Sequence, residues 1–409
     1  MNDQVESFSI KQIKDGHIAS PNGFYAEGIT AGIKSDKKKD LALLYSDETC
    51  NFVAKYTQNQ LKGESLKWTM NLLEKNKPFR GLLVNSGNAN TAVGAIGYKH
   101  AEALASSVAK KIQANTQEIY IASTGIIGVE LPVDLIQAGV ENFTLNQLQG
   151  NEFANAILTT DTQPKEIALE IEYENRKYII AGCAKGAGMI HPNLATMLAF
   201  LTTDAPLDPK WANQILTESV NTSFNMIDVD MDTSPCDIVA LISKKNSKEE
   251  TIDEKHPLSN LFKDALQEVC IYLAKSIASD GEGATCLIEA RINQANSDLI
   301  AKHAARSIIS SLLIKTMVKG KDPNWGRIIT ALGNALPSMD ENKISIHIGE
   351  IKVYENGKPL FSNAAKAVDE MYGDTVIISI DLNDGQANAV AWGCDLTQEY
   401  VKINSEYTT

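Results

Sequence analysis

Strand-like and helix-like stretches alternate along the whole 409-residue chain, and this limits it to folds in which helices cover sheets. Gly81-Leu82-Leu83-Val84 reads as a buried strand running into a loop, Asn85 to Asn90. A helix follows from about Tyr98 to Ala114, because Ala101, Leu104, Val108 and Ile112 recur at helical spacing. Tyr120-Ile121-Ala122 is a short strand ending in Ser123-Thr124-Gly125, and Ala168 to Glu172 pairs with Lys177 to Ala181 across a turn at Glu174-Asn175. Phe262, Leu266, Val269, Leu273 and Ile277 predict a helix that stops at Asp280-Gly281, with the glycine in the left-handed conformation of a helix end. A second helix starts at the cap candidate Ser297 and runs through Ile300, Ala304 and Ile308. The last hundred residues read as sheet, with strands at Ile344 to Ile348, Val376 to Leu382 and Gln386 to Trp392 and a hairpin turn at Asn356-Gly357. The class is α/β or α+β with antiparallel pairing.

No repeat or low-complexity linker interrupts the pattern, and 44% hydrophobic residues can build a substantial core. The formal charge of −13 argues against a nucleic-acid or anionic-membrane surface. The densest basic run, Lys37-Lys38-Lys39, reads as a solvated turn. Met1 to Ile10 is polar and acidic, unlike an export signal, so a cytoplasmic enzyme is expected. Six cysteines without CxxC spacing point to free buried thiols rather than a zinc site or disulfide framework. The longest uncharged stretch, Gly186 to Leu201, is shorter than the ~20 apolar residues of a membrane-spanning helix.

Chemistry concentrates in Gly182 to Leu198. Its three glycines, at 182, 186 and 188, let backbone approach a ligand closely, and Lys185 beside them can bind a carboxylate; a glycine-rich strand connection with an exposed lysine is the plainer reading. Thr196, preceded by a small residue and followed by Met197-Leu198-Ala199-Phe200-Leu201, has the form of a nucleophile opening a strand. Threonine needs an adjacent base, and a chain cut between Ala195 and Thr196 supplies one as its own α-amine, whose pKa of ~7.7–8.0 suits proton transfer near neutrality. Such a cut begins when the Thr196 hydroxyl attacks the Ala195 carbonyl.

These residues resemble the arginine-biosynthesis ornithine acetyltransferases, also described as glutamate N-acetyltransferases. The family pattern K-G-x-G-M-I-x-P-N-x-A-T-M-L is matched by Lys185 to Leu198, and four further blocks agree: Asn85 to Gly94, Ser123 to Gly128, Thr159 to Lys165 and Asp322 to Arg327. The resemblance implies an α/β fold, a layered α-β-β-α sandwich of the self-processing N-terminal-nucleophile type with mixed and antiparallel sheets. It implies fragments 1–195 and 196–409 that stay associated, two of each in the assembly. Thr196 is implied as nucleophile, Thr124 and Gly125 as oxyanion hole, and Thr159, Lys185, Thr196, Glu282, Asn404 and Thr409 as substrate-binding positions. The implied reaction carries acetyl from N-acetylornithine to glutamate, with acetyl-CoA an alternative donor in some members and no metal or organic cofactor. A water-accepting amidase or aminopeptidase, and a ligand-binding protein without turnover, are the alternatives.

Asn85, Asn88 and Asn90 read either as amide donors supporting the acyl site or as residues accommodating left-handed backbone. His191, five residues before Thr196, is assigned to packing or the cleavage loop. Two segments depart from the family. Val229-Asp230-Met231-Asp232-Thr233-Ser234-Pro235-Cys236-Asp237 stands where V-D-G-D-T-S-T-N-D is usual, and Lys62-Gly63-Glu64-Ser65 replaces the usual A-A-P. Both bear on substrate choice rather than on the nucleophile.

Overall fold

A computed structural model describes residues 9–173, 176–191, 197–245 and 250–406, so Glu174-Asn175, Ala195, Thr196 and Thr409 lie outside the described residues. Among the described residues the strands form two mixed sheets. The larger, of nine strands, runs Ser9–Gln12, Lys165–Tyr173, Arg176–Lys185, Leu198–Thr203, Ile238–Lys244, Leu41–Tyr56, Phe79–Asn88 and Ile119–Ile126, with Phe24–Ile29 also paired to Leu41–Tyr56. Most neighbours are antiparallel, but Leu198–Thr203 with Ile238–Lys244, and Phe79–Asn88 with Ile119–Ile126, are parallel. The smaller sheet has seven strands and is centred on Thr375–Asp381, Leu287–Ala295 and Ala387–Cys394.

The larger sheet divides two hydrophobic cores, because successive side chains of a strand point to opposite faces. Leu198 and Phe200 enter one core and Ala199 and Leu201 the other, and Ala240 and Val239 divide in the same way. Glu64–Glu74 and Ala95–Ile112 cover the first core; Ala95–Ile112 buries Ala101, Leu104, Val108 and Ile112 as their spacing predicts. Ser259–Ser279 packs on Lys165–Tyr173 and Arg176–Lys185 and reaches Ala387–Cys394 of the smaller sheet, which Asp298–Ser310 covers. The layering is that of an α-β-β-α sandwich.

Several local expectations hold. Ala168 pairs with Ala181 and Glu172 with Lys177. The Ser297 side chain caps its helix by accepting from Ile300 N–H, and Asn356 and Gly357 both take positive φ between Ile351–Glu355 and Lys358–Pro359. Others need correction. The strand expected to end at Val84 continues to Asn88, because its parallel partner carries the pairing on through Asn85↔Ser123 and Ser86↔Thr124. Gly281 is not left-handed; Gly283 is, at φ 69°. Gly281 is small for another reason, since a Cβ there would lie 2.6 Å from Cys394 Sγ. The last hundred residues also hold helices Leu312–Gly320, Trp325–Ala335 and Gln398–Glu406, the last exposed and without a wide apolar stripe to announce it. All six cysteines are free and buried.

Gly182 is where the sheet and the Ser259–Ser279 helix come closest: a Cβ would meet Leu201 Cδ2 at 2.5 Å and Leu273 Cδ1 at 3.0 Å. Gly182→Val is expected to destabilise the fold by about 1–3 kcal/mol, seen as a lower urea midpoint. Gly320→Ala, with nothing within 4 Å of the added carbon, should lose nothing.

Candidate active site

One end of the pocket is built from backbone. Thr124 and Gly125 sit where the Ile119–Ile126 strand runs beside Phe79–Asn88, and Gly125 has φ 130° and lies against Gly87. A Cβ on Gly125 would come within 2.5 Å of Asn88 N, so only glycine fits. Beneath them runs a buried chain of neutral hydrogen bonds. Ser123 Oγ donates to Asn85 Oδ1 at 2.6 Å, which spends its one proton. The 2.7 Å contact between Ser65 and Ser123 therefore has Ser65 as donor, and Ser65 in turn accepts from Asn90 Nδ2 at 3.0 Å. Asn85 Nδ2 donates to Asn88 O and Asn88 Nδ2 to Val129 O and Glu130 O. The amides of Asn85 and Asn88 thus tie the loop together, and of the three asparagines only Asn90 takes a left-handed backbone, at φ 49°.

The other end is ionic. Lys185, at the end of Arg176–Lys185, is buried, and its ammonium has no hydrogen-bond or ion-pair partner among the described residues. Burial pulls its pKa below the usual lysine value, while the carboxylates of Asp161 and Asp237 oppose that. Asp161 accepts from Gly186 N–H at 2.6 Å, Thr159 N–H at 3.0 Å and Lys165 Nζ at 2.6 Å. Lys165 also reaches Asp280 at 2.6 Å, and Asp280 accepts from Thr162. Burial alone would raise the Asp161 carboxyl, but the Lys165 and Lys185 charges and the Gly186 N–H hold it at about 2.

A third wall comes from the loop after Ser259–Ser279. Glu282 N–H donates to Ala187 O, and Gly188 lies so close that a Cβ would meet the Glu282 carboxylate at 2.5 Å. Asn404, on Gln398–Glu406, donates to Glu282 Oε2 at 2.7 Å. Met189, at φ 57°, turns the chain here, and its N–H and that of Ile190 donate to Asp230 at 2.6 and 2.9 Å. Burial lifts the Asp230 carboxyl to about 6, against these two N–H groups and with the neighbouring Asp228 adding to the rise.

One pocket therefore gathers Thr124, Gly125, Thr159, Lys185, Glu282 and Asn404. Every site position expected from the sequence within the described residues lines it. Ala195, Thr196 and Thr409 fall outside the described residues. His191 does not line the pocket; it pairs with Asp228 at 2.8 Å, and Asp228 with the fully buried Lys315 at 3.3 Å. The two departing segments meet at the pocket: Pro235 and Cys236 line it, Gly63 N–H donates to Pro235 O, and Ser65 belongs to the network under Thr124. Met231 is half-exposed, outside the lining, and held at the φ of 69° that glycine adopts without strain. Sequence reading missed Asp161 and Asp280. Asp161 lay inside the Thr159 to Lys165 block, and nothing in sequence separation tied it to Asp280.

Two mixed sheets under helices, with a pocket of hydroxyl, glycine N–H and lysine at one sheet end, define an α-β-β-α sandwich built for acyl chemistry. The chain belongs to the ArgJ family, whose model matches residues 25–409. It is 40% identical over 408 residues, 99% of this chain and 100% of the relative, to an arginine biosynthesis bifunctional protein ArgJ of Oceanobacillus iheyensis. It is 43% identical over 412 residues to the protein of that description from Dehalococcoides mccartyi, covering 98% of this chain and 99% of the relative. Among solved structures it matches the arginine biosynthesis bifunctional protein argJ of Bacillus halodurans at 41% identity and a TM-score of 0.50, over 52% of this chain and 100% of that one.

Asp230 gives the site a pH signature. Between the ordinary carboxyl value of 3.8 and about 6, the folded chain keeps a proton that the unfolded chain has released. Its contribution to stability is therefore full below that window and is lost as pH rises through it. Asp230→Asn should flatten the fall in urea midpoint between pH 4.5 and 6.5, and an unchanged fall would assign it to another group.

Proposed function

We propose that the chain is a glutamate N-acetyltransferase of arginine biosynthesis that cuts itself between Ala195 and Thr196 and then moves acetyl from N2-acetyl-L-ornithine to L-glutamate through acetyl-Thr196. The observation that carries this reading is the buried Lys185 ammonium, without a hydrogen-bond or ion-pair partner among the described residues, in the same pocket as Thr124 and Gly125. Donor and acceptor each bring an α-carboxylate, the group such an ammonium lacks. Glu282, across the pocket, suits the side-chain ammonium of ornithine.

In the first half-reaction the Thr196 hydroxyl attacks the acetyl carbonyl while the Thr196 α-amine takes its proton. Charge collects on the carbonyl oxygen, where the Thr124 hydroxyl and Gly125 N–H serve as donors; losing one such donor typically costs ~3–4 kcal/mol of transition-state stabilisation. The carbon–nitrogen bond then breaks, the proton passes to the departing ornithine amine, and an ester remains. Glutamate's amine attacks that ester, and the steps run in reverse. Neither metal nor organic cofactor enters this sequence.

Three observations support the scheme. Met197, next to Thr196, has its carbonyl bonded by Ile238 N–H, two residues beyond Cys236 of the pocket. The Bacillus halodurans chain is matched end to end yet spans 52% of this one, the share that residues 196–409 make up. The relatives are described as bifunctional, which favours acetyl-CoA as a second donor. The reading includes two copies of each fragment in the assembly and a cytoplasmic setting.

Purified protein should resolve by mass into two chains, the second starting at Thr196, and Thr196→Ala should stay whole. Mixed with N-acetylornithine alone, the enzyme should release up to about one equivalent of ornithine and carry one acetyl on Thr196, with ping-pong initial rates. Discharge by water as fast as by glutamate would make it a hydrolase instead. Lys185→Met should raise KM for both substrates by roughly 10- to 150-fold, since each loses a charge-assisted contact of ~1.5–3 kcal/mol. Unchanged KM values would remove Lys185 from the site.

A further inference from the structure

We propose that Asp161 is a positioning residue for acetyl transfer: its carboxylate ties the Thr159 wall to the turn after Lys185 and supplies the counter-charge that keeps the Lys185 ammonium available to a substrate carboxylate. This rests on the acetyl-transfer reading of the pocket. The geometry is specific. One carboxylate, wholly buried, accepts from the N–H of Thr159 at 3.0 Å and from the N–H of Gly186 at 2.6 Å, the residues that carry or adjoin two of the pocket's side chains. Gly186 has φ 152°, so its N–H direction follows from a backbone bend that glycine permits.

Charge makes the second half of the case. The groups that act on the Lys185 ammonium are Asp161 and Lys165 from the Thr159 to Lys165 segment, Asp237 and Cys236 from the segment before Ile238–Lys244, and Lys34 from the loop after Phe24–Ile29; Glu282 lines the same pocket. Among the attractions on the ammonium, Asp161 is the foremost, followed by Asp237. Lys165 also draws on Asp161, but at 2.6 Å it shares its own charge with Asp280, which leaves part of the Asp161 field for Lys185. Removing the Asp161 charge leaves two buried ammoniums facing each other with less to hold them. Lysine, unlike arginine, sheds its proton under such pressure.

The test follows KM for N-acetylornithine from pH 6.5 to 9.5. In Asp161→Asn, KM should climb about tenfold per pH unit on an alkaline limb that begins at lower pH than in the parent, while kcat changes less. Adding Lys185→Arg to Asp161→Asn should flatten that limb, because a guanidinium stays charged. A residue that merely supports the fold would shift KM or kcat equally at all pH values, and that result, or an alkaline limb that persists with arginine, overturns the proposal. A second readout needs neither turnover nor the variant: competitive labelling with acetic anhydride, read on the Lys185 peptide by mass spectrometry. In the parent Lys185 should label slowly at pH 7 to 8 and gain reactivity only above; labelling as a neutral amine at pH 7 overturns the counter-charge role even if Asp161→Asn fails to fold. If the parent transfers no acetyl while the labelling behaves as expected, the function reading fails and the role of Asp161 at Lys185 stands.

Discussion

The Lys165 ammonium, sealed between Asp161 and Asp280, is the interaction on which the pocket depends. All three side chains are essentially excluded from solvent, and each carboxylate lies 2.6 Å from the nitrogen. Burying an ammonium is costly, and removing one partner of such an array typically costs ~3–5 kcal/mol, because an unpaired charge stays behind. The array is therefore a poor source of net stability and a strict source of geometry. Asp161 leads to Thr159 and to the turn after Lys185, and Asp280 is followed by Gly281 and Glu282. Three walls from distant parts of the chain are set relative to one another by one nitrogen atom.

The opposite end of the pocket is held without charge. Asn90, Ser65, Ser123 and Asn85 pass hydrogen bonds along a buried line under Thr124 and Gly125. The division has a chemical logic. On the proposed reading, a fixed positive charge suits a carboxylate that is present throughout the reaction, whereas dipoles held in place by neutral partners suit a negative charge that appears only in the transition state. Placing ions beneath the neutral end would bias the field before reaction, and the sequence uses amides and hydroxyls there instead.

The departures from the family pattern acquire meaning from their positions. Met231 lies on the surface, and its left-handed backbone is a local strain away from the pocket lining. Pro235 and Cys236 form part of the wall; burial pushes the Cys236 thiol up to about 12, so it stays a small neutral group beside Thr91 and Ala89 O. The other departing segment touches the first through Gly63 and Pro235. A Cβ on Gly63 would lie 2.7 Å from Thr91 Oγ1 and 3.1 Å from Cys236 Sγ, so the two changes share one small volume.

By itself the sequence determined the local units. Helical spacing gave Ala95–Ile112 and Ser259–Ser279, β-rich runs gave the paired strands around Ala168 and Lys177, and Ser297 marked its helix start, because each rests on contacts a few residues apart. Its motif blocks also contain Thr124, Gly125, Thr159 and Lys185, and the resemblance they carry extends to Glu282 and Asn404. Only the tertiary structure decided how they meet. The extension of Phe79–Asn88 past Val84 depends on a partner strand some forty residues on, and Gly281 is small because of Cys394, over a hundred residues away. Asp161 and Asp280 look like ordinary loop acids in sequence; packing of the Ser259–Ser279 helix on Lys165–Tyr173 closes them on Lys165. Local propensity acts through neighbours in the chain, whereas burial of charge acts through neighbours in space, and folding alone decides which residues those are.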